Sequence, residues 1–454
     1  MAIFAVLKFC AYYPRLLASI DVMRMKRIIG LGLFLVYMGG AKAQGGLADV
    51  DGSTLQLNTI TTAVPFLIIN PETRGGGMGD VGVATSADAN SLHWNVAKYA
   101  FIDEKVGASI SYTPWLRALV PDISLSYLTG YYKIDNMSAA ALSIRYFSLG
   151  NIQFTDQFGN NTIQFTPNEF ALNAGYSRKL SDRLSGGLSA KFITSNLTGG
   201  QTVGGANSRP GRSIAVDLGV YYENDDVVMF DKDFTVAWGL AISNLGAKIS
   251  YTNNTDRDFL PMNLRLGPRV SYDINDYNQI TFSFDLNKYL VPSPPKYAID
   301  PDVAGQVILF DDEDQPIISS GLNPDRPVPS AVFSSFYDAP GYGSYNDAGE
   351  WEPISAGRLR EEINEVSLGV GMEYWYAQQF AFRMGYFTEH FSKGNRKFLT
   401  LGAGLKLNVF GLDFSYLIST YNVRQNQGAQ SPLANTLRFT LSFDLAEAAK
   451  GDDE

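Results

Sequence analysis

The stretch NQITFSFDLNK, residues 278–288, decides the fold. Ile280, Phe282, Phe284 and Leu286 alternate with Gln279, Thr281, Ser283, Asp285 and Asn287. Successive side chains of a strand point to opposite faces, so this segment has one apolar and one polar side. The same period of two recurs outward in both directions. Leu437, Phe439, Leu441 and Phe443 alternate with Arg438, Thr440, Ser442 and Asp444, and leucines alternate with Thr400, Gly402, Gly404, Lys406 and Asn408. A soluble sandwich also alternates, but its strands are typically ~5–6 residues long. These segments run mostly to ten to thirteen residues, and a tilted strand needs ~9–11 to cross a bilayer. Aromatic residues gather near their ends, as in Tyr112-Thr113-Pro114-Trp115, Tyr131-Tyr132 and Tyr374-Trp375-Tyr376. That placement matches the girdles of a membrane barrel.

Fourteen segments qualify: 104–113, 122–133, 137–149, 168–179, 184–195, 212–223, 233–244, 262–273, 278–288, 364–376, 379–391, 397–408, 410–421 and 434–445. Connections after even-numbered segments are short, such as Ala377-Gln378, and those after odd-numbered segments are longer, reaching 289–363. An even strand count with short periplasmic turns and long outer loops describes a bacterial barrel. The expected fold is therefore all-β, a 14-stranded antiparallel transmembrane β-barrel. Gly267-Pro268 falls inside the eighth strand. Proline donates nothing to a ladder, so a bulge or kink is expected there. The 289–363 loop, rich in Pro, Asp, Gly and Ser, reads either as a solvated, partly disordered connection or as a partner-docking surface.

The ends are concerned with export. Met23-Arg24-Met25-Lys26-Arg27, the apolar run 28–38 and Ala41-Lys42-Ala43 form a secretory signal peptide too short to span as a helix. Cleavage is expected after Ala43, with the stretch before Met23 an over-extended start. Residues 1–43 hold six of the 36 Lys/Arg and one of the 46 Asp/Glu, which leaves 30 and 45 and a net charge of −15. Such acidity argues against nucleic-acid binding, which needs basic patches. The one cysteine, Cys10, leaves with the leader, so no disulfide is expected. No later run of eighteen apolar residues suggests a spanning helix.

Residues 44–103 do not alternate cleanly. Pro65-Phe66-Leu67-Ile68-Ile69 is followed by PETRGGGMGDVGVA (71–84) and by His93-Trp94-Asn95-Val96-Ala97. The Lys-Ser/Thr that completes a phosphate loop is missing, so Gly75, Gly76, Gly77 and Gly79 read as a tight turn packed against other backbone.

Met78-Gly79-Asp80-Val81-Gly82-Val83-Ala84-Thr85, with Asn95-Val96-Ala97 near an Asn-Pro-Ala signature, resembles the FadL-like superfamily of fourteen-stranded barrels. That resemblance implies that the amino-terminal segment folds into the lumen as a plug, with Gly75, Gly76, Gly77, Gly79, Asp80 and Asn95 in it. The departure from proline at Val96 puts the local turn of the plug in question. PETRGGGMGDVGVATSADAN, SYTPWLRALVPDISLSYLTGYY, SNLGAKISY, FLPMNLRLG, DLNKYLVPSPP, LTLGAGLKLNVFGLDFSYL and PLANTLRFTLSF resemble, more narrowly, the PorV (LptO) family of the type IX secretion system of the Bacteroidota. The resemblance runs from about residue 45 to 445. It implies an outer-membrane shuttle that binds the C-terminal signal domain of cargo at the translocon barrel, Sov or SprA. The shuttle then passes cargo to the sortase PorU with PorQ and PorZ, for anchoring to lipopolysaccharide or release. The expected organisation is a leader and signal peptide at 1–43, a plug at 44–103, a barrel at 104–445 with an extracellular loop at 289–363, and an acidic periplasmic tail at 446–454.

Two other classes fit a barrel. Glu389, His390 and Ser392 at the end of the eleventh strand could form a hydrolase site of the lipid A deacylase kind, since a Ser–His pair must lie within hydrogen-bond reach. A channel for hydrophobic molecules would need an apolar pocket and a path past the plug, whereas the inward faces are polar. A non-enzymatic binding role is the preferred reading. Trp115, Leu116, Leu119, Phe259, Leu260, Tyr289, Leu290 and Val291 are the candidate cargo-binding residues at the outer rim; equally, they read as interfacial belt. No cofactor is expected, and no metal site either, because Asp311-Asp312-Glu313-Asp314 reads as a solvated loop.

Overall fold

A computed structural model describes residues 57–445 apart from 118–119, 121, 156–157, 159, 201, 204–205, 253–256, 304–306, 421–432 and 434. The leader, its cleavage site, the acidic tail and Leu119 lie outside the described residues. Fourteen strands form one closed barrel. They are β1 (Val106–Pro114), β2 (Ser124–Lys133), β3 (Ser138–Ser148), β4 (Asn168–Lys179), β5 (Leu184–Asn196), β6 (Gly211–Met229) and β7 (Lys232–Gly246), followed by β8 (Asn263–Asn275), β9 (Asn278–Tyr289), β10 (Ser367–Tyr376), β11 (Phe380–Thr388), β12 (Lys397–Leu407), β13 (Phe410–Ser419) and β14 (Thr436–Leu445). Each pairs antiparallel with its neighbour in chain order. The wall closes between β1 and β14, from Val106 opposite Leu445 to Tyr112 opposite Phe439.

Burial runs opposite to that of a water-soluble protein. On β9, Phe282 is 45% exposed while Thr281 and Ser283 are 3% exposed. On β14, Leu437, Phe439 and Phe443 face outward and Arg438 and Thr440 are buried. An apolar exterior around a polar interior is stable only where the surroundings are themselves apolar, and closure satisfies every ladder without an edge. No described helix is long and apolar enough to cross a membrane; the strands do the crossing.

One end carries two- to four-residue turns after the even strands, and the other carries the long loops. The turns use left-handed residues where the chain must reverse fastest, at Phe230 and Asp231 and at Ala377 and Gln378.

Three sequence expectations change. No residue is inserted at Gly267-Pro268. The pairing of β8 with β9 keeps its register from Leu266–Leu286 to Arg269–Ser283, and only the rungs opposite Phe284 and Asp285 are missing. Proline removes its donor there without displacing the strand. The sixth and seventh strands are longer than the alternation suggested, because Asn224-Asp225-Asp226 and the residues up to 232 fall between the segments 212–223 and 233–244. A register shift between Asn224 and Val227 absorbs the acidic run, as a bulge does. The long loop is folded: α-helices at Val328–Ser334 and Gly357–Asn364 and short ladders Lys296–Tyr297 with Ile318–Ser320 and Gly343–Tyr345 with Trp351–Pro353 organise it.

Candidate functional site

The amino-terminal segment threads the barrel from the long-loop end to the short-turn end. At its start the Asn58 N–H donates to the Ser392 carbonyl (2.9 Å), among the long loops. At its finish the Ala100 N–H donates to Ser177 Oγ (3.0 Å), and Phe101 lies under the Lys179 ammonium, beside the short turns. Between them the backbone passes through two short α-helices, Thr73–Gly77 and Ser91–Trp94; the first is capped by Glu72, whose carboxylate accepts from the Gly75 N–H (2.7 Å) and from Trp94 Nε1 (2.9 Å). A charged clamp fixes this helix to the wall. Glu373 of β10 accepts from Arg74 Nη2 (2.7 Å) and Nε (3.0 Å) of the segment and from Arg383 Nε of β11 (2.7 Å). Arg74 also meets Asp88 at 3.0 Å, and Arg383 meets Asp413.

The wall yields space to the segment through glycine. A Cβ on Gly385 would lie 2.0 Å from the Met78 carbonyl carbon, and one on Gly239 would lie 2.1 Å from the Val83 oxygen. Backbone thus touches backbone at inward positions where a polar lumen would otherwise carry Ser or Thr. The segment residues singled out from sequence are all placed here. Gly75 is packed against Trp94, Gly76 against Arg438 and Gly77 against Gly402. Gly79, at φ +74, donates to Thr400 Oγ1 (2.8 Å); Asp80 accepts from Asn70 (2.7 Å). Asn95 caps the turn at Ala97 (3.1 Å) and donates to the Val83 and Val220 carbonyls. Val96, in place of the proline, opens a 3₁₀ turn, Val96–Phe101.

The long loop forms a roof over this end, fastened by a buried charge cluster. Lys288 Nζ lies 2.6 Å from Glu365 and 3.0 Å from Glu362; Lys393 Nζ lies 2.7 Å from Glu361 and 2.9 Å from Glu365. Asn58 Nδ2 joins it by donating to Glu361 (2.8 Å), so roof and lumen segment share one network. Burial by itself would raise the Glu365 carboxyl, but Lys393 and Lys288 outweigh it and hold it below its ordinary value. Burial lowers Lys393, and Glu365 and Glu361 outweigh that in the other direction. The sign follows by linkage. A carboxylate with a depressed folded pKa contributes fully above the ordinary 4.5 and loses its contribution as pH falls through the folded value. A raised lysine contributes fully below 10.5 and loses its contribution as pH rises through the folded value. The roof is therefore expected to stay closed at pH ~5 and to open only in stronger acid; limited proteolysis of 290–366 across pH reads this, and cleavage that begins near neutrality would contradict it.

The helix at Gly357–Asn364 is amphipathic in the reverse of the usual sense. It turns Glu361 inward, 2% exposed, and leaves Leu359 and Ile363 64% and 62% exposed. Those two are four residues apart, hence on one face. Phe336, whose ring centroid lies 5.8 Å from Lys288 Nζ, and Tyr337 are also exposed. The sequence left this loop open between a solvated connection and a partner-docking surface, and it singled out neither Leu359 nor Ile363. Of the rim residues that were singled out, Leu260, Leu290 and Val291 are buried, and Phe259 and Tyr289 are half-buried, packed against Leu290 and Val291. Leu290 and Val291, with Phe259 and Tyr289, form the apolar core under the roof, whereas Leu260 belongs to the cluster of Val64, Phe66 and Leu67; the expectation that these residues are exposed is corrected. Trp115 packs on the cluster of Val64, Phe66 and Leu67, and Leu116 is half-buried with φ 50.

His390 Nδ1 lies 2.8 Å from Ser392 Oγ, yet the parts do not assemble as a nucleophile site. Glu389 is held by Arg396 (2.9 and 3.0 Å), not by the histidine. Ser392 is fully buried and shares its hydroxyl with Tyr342 (2.8 Å). Burial pushes His390 down to about 4, so the neutral ring caps the 3₁₀ turn Phe391–Lys393. Among the described residues no group of acids and histidines is placed to hold a metal.

Residues 52–296, a little over half of the chain, match the family described as type IX secretion system protein PorV. The chain belongs to the PorV family. It is an outer-membrane β-barrel protein of the type IX secretion system. No curated protein matched the chain. Among solved structures it is similar to the toluene transporter TbuX of Ralstonia pickettii (13% identity, 84% of this chain and 100% of that one, TM-score 0.41). It is also similar to a FadL homologue of Pseudomonas aeruginosa (13%, 86% and 99%, TM-score 0.38) and to the P. putida toluene transporter TodX (10%, 84% and 100%, TM-score 0.41). Its kinship rests on the PorV match.

Proposed function

We propose that this PorV-family barrel works by its surface: it binds the C-terminal signal domain of cargo at the long-loop end, which faces the cell exterior. It receives cargo at the translocon barrel (Sov or SprA) and delivers it to PorU with PorQ and PorZ, for attachment to lipopolysaccharide or release. The observation that carries this reading is the roof helix that buries its glutamates and exposes Leu359 and Ile363. Exposed apolar residues on a rigid element are what a partner anchors to. The lumen segment serves as a plug, and its fit against wall glycines weighs against a path for hydrophobic molecules. We read the chain as non-enzymatic, consistent with the Glu389 carboxylate being held by Arg396 and not by His390.

Cells whose only copy carries Leu359→Ser and Ile363→Ser are expected to make a folded barrel but to accumulate cargo that retains its signal domain. Normal cargo processing in those cells would reject the proposed surface. Purification of the barrel from its native membrane is expected to bring the secretion partners with it.

A further inference from the structure

The hairpin of β6 and β7 ends in a turn whose two central residues, Phe230 and Asp231, both have positive φ, 55° and 57°. Such turns favour Asn and Gly; a bulky side chain there is strained. Strain of this kind marks functional sites when an observation beside it points the same way. Here the strained residue is also 93% exposed, and Val228 beside it is 67% exposed. Folding alone gives no reason for a phenylalanine at that position.

The hairpin also stands above one side of its rim. The Glu223 N–H bonds the Arg183 carbonyl (2.9 Å) at the β4–β5 turn, and pairing of β6 with β5 stops at Tyr222. Residues 224–229 continue past that turn, up to about 20 Å of strand. The step holds a cleft of about 600 Å³ lined by Phe101, Lys179, Asp182, Arg183, Glu223 and Asp225, among others. Its cations are already engaged, Arg183 by Asp226 (2.8 Å) and Lys179 by the Phe101 ring (4.6 Å). Glu223 is held by Arg269. Asp182, Asp225, Asp231 and Asp233 are exposed, and at the tip Lys232, the first residue of β7, stands between Asp231 and Asp233.

We propose that this tip is a docking knob for a second protein on the short-turn side of the membrane, one that offers an apolar socket for Phe230 and Val228 ringed by Lys and Arg. Charge decides between a protein and the membrane. An aromatic that anchors in lipid headgroups is normally flanked by basic residues, because bacterial membrane surfaces are anionic. Four exposed aspartates, with Lys232 set against them, would be repelled there, whereas a basic protein surface is attracted and oriented by them. This site lies at the end opposite the roof and does not depend on the cargo reading.

The test places a benzophenone amino acid at position 230 of the full chain in its native outer membrane and irradiates it. A protein adduct is expected, with the crosslinked peptide bearing Lys or Arg. Its yield should fall at least ~5-fold in the D182N/D225N/D231N/D233N variant and in ~0.5 M salt. Heat-modifiable migration of that variant shows that its barrel is folded. Adducts with lipid alone, no adduct, or a protein adduct whose yield ignores charge and salt would each overturn the proposal.

Discussion

Replacing Glu373 with alanine is expected to cost about 3–5 kcal/mol of barrel stability, the range for removing one partner of a buried ion pair. The carboxylate is 1% exposed and is the common acceptor of Arg74 on the lumen segment and Arg383 on the wall. Its loss leaves two buried guanidinium groups facing each other, with Asp88 and Asp413 at their far sides. Urea unfolding in detergent reads the change. Arg183→Ala, which breaks an exposed ion pair with Asp226, supplies the contrast, at under ~1 kcal/mol. Equal midpoints for the two variants would show that the clamp does not hold the segment.

Gly385→Ala is expected to be as damaging for a steric reason. The added methyl would sit 2.0 Å from the Met78 carbonyl carbon and 2.1 Å from the Gly79 nitrogen, so segment or wall must move. Gly79 is already at φ +74 and bonded to Thr400, and its neighbours are pinned on both sides. Overpacking of this kind typically costs ~1–3 kcal/mol and at times more; the upper end is expected, together with protease access to the 57–103 segment. Gly186→Ala, whose nearest new neighbour would be the Leu180 side chain at 3.4 Å, should change stability by under ~0.5 kcal/mol. Damage of equal size at both positions would place the cost in strand propensity, not in the close approach.

Period two made the barrel legible. Each of the fourteen strands overlaps a segment read from alternation, because bilayer outside and polar lumen inside force the same pattern on every strand. Boundaries slipped where another force overrides the pattern. At 223–226 an acidic run stays in a strand through a bulge, and at Gly267-Pro268 the ladder loses rungs without losing register. The roof was hidden for a different reason. Glu361 and Glu362 fall in the loop read as 289–363 and Glu365 in the segment 364–376, and only tertiary structure brings Lys288 and Lys393 to them. Exposure at the rim was misjudged likewise: Leu290 and Val291 are apolar because they fill the space under that roof. A signal for the lumen contacts was present in Gly369, Gly371, Gly385 and Gly402, glycines on the inward register of consecutive strands. A polar lumen alone does not require glycine at those positions; a backbone packed against them does.

Binding between the purified barrel in detergent and an isolated cargo C-terminal signal domain, with and without Leu359→Ser and Ile363→Ser, tests the central claim most directly. Two anchors worth ~1–2 kcal/mol each predict that the double variant binds roughly 30- to 1000-fold more weakly, with an unchanged unfolding midpoint. Undiminished binding by that variant, or no binding by the unaltered protein, would contradict the account.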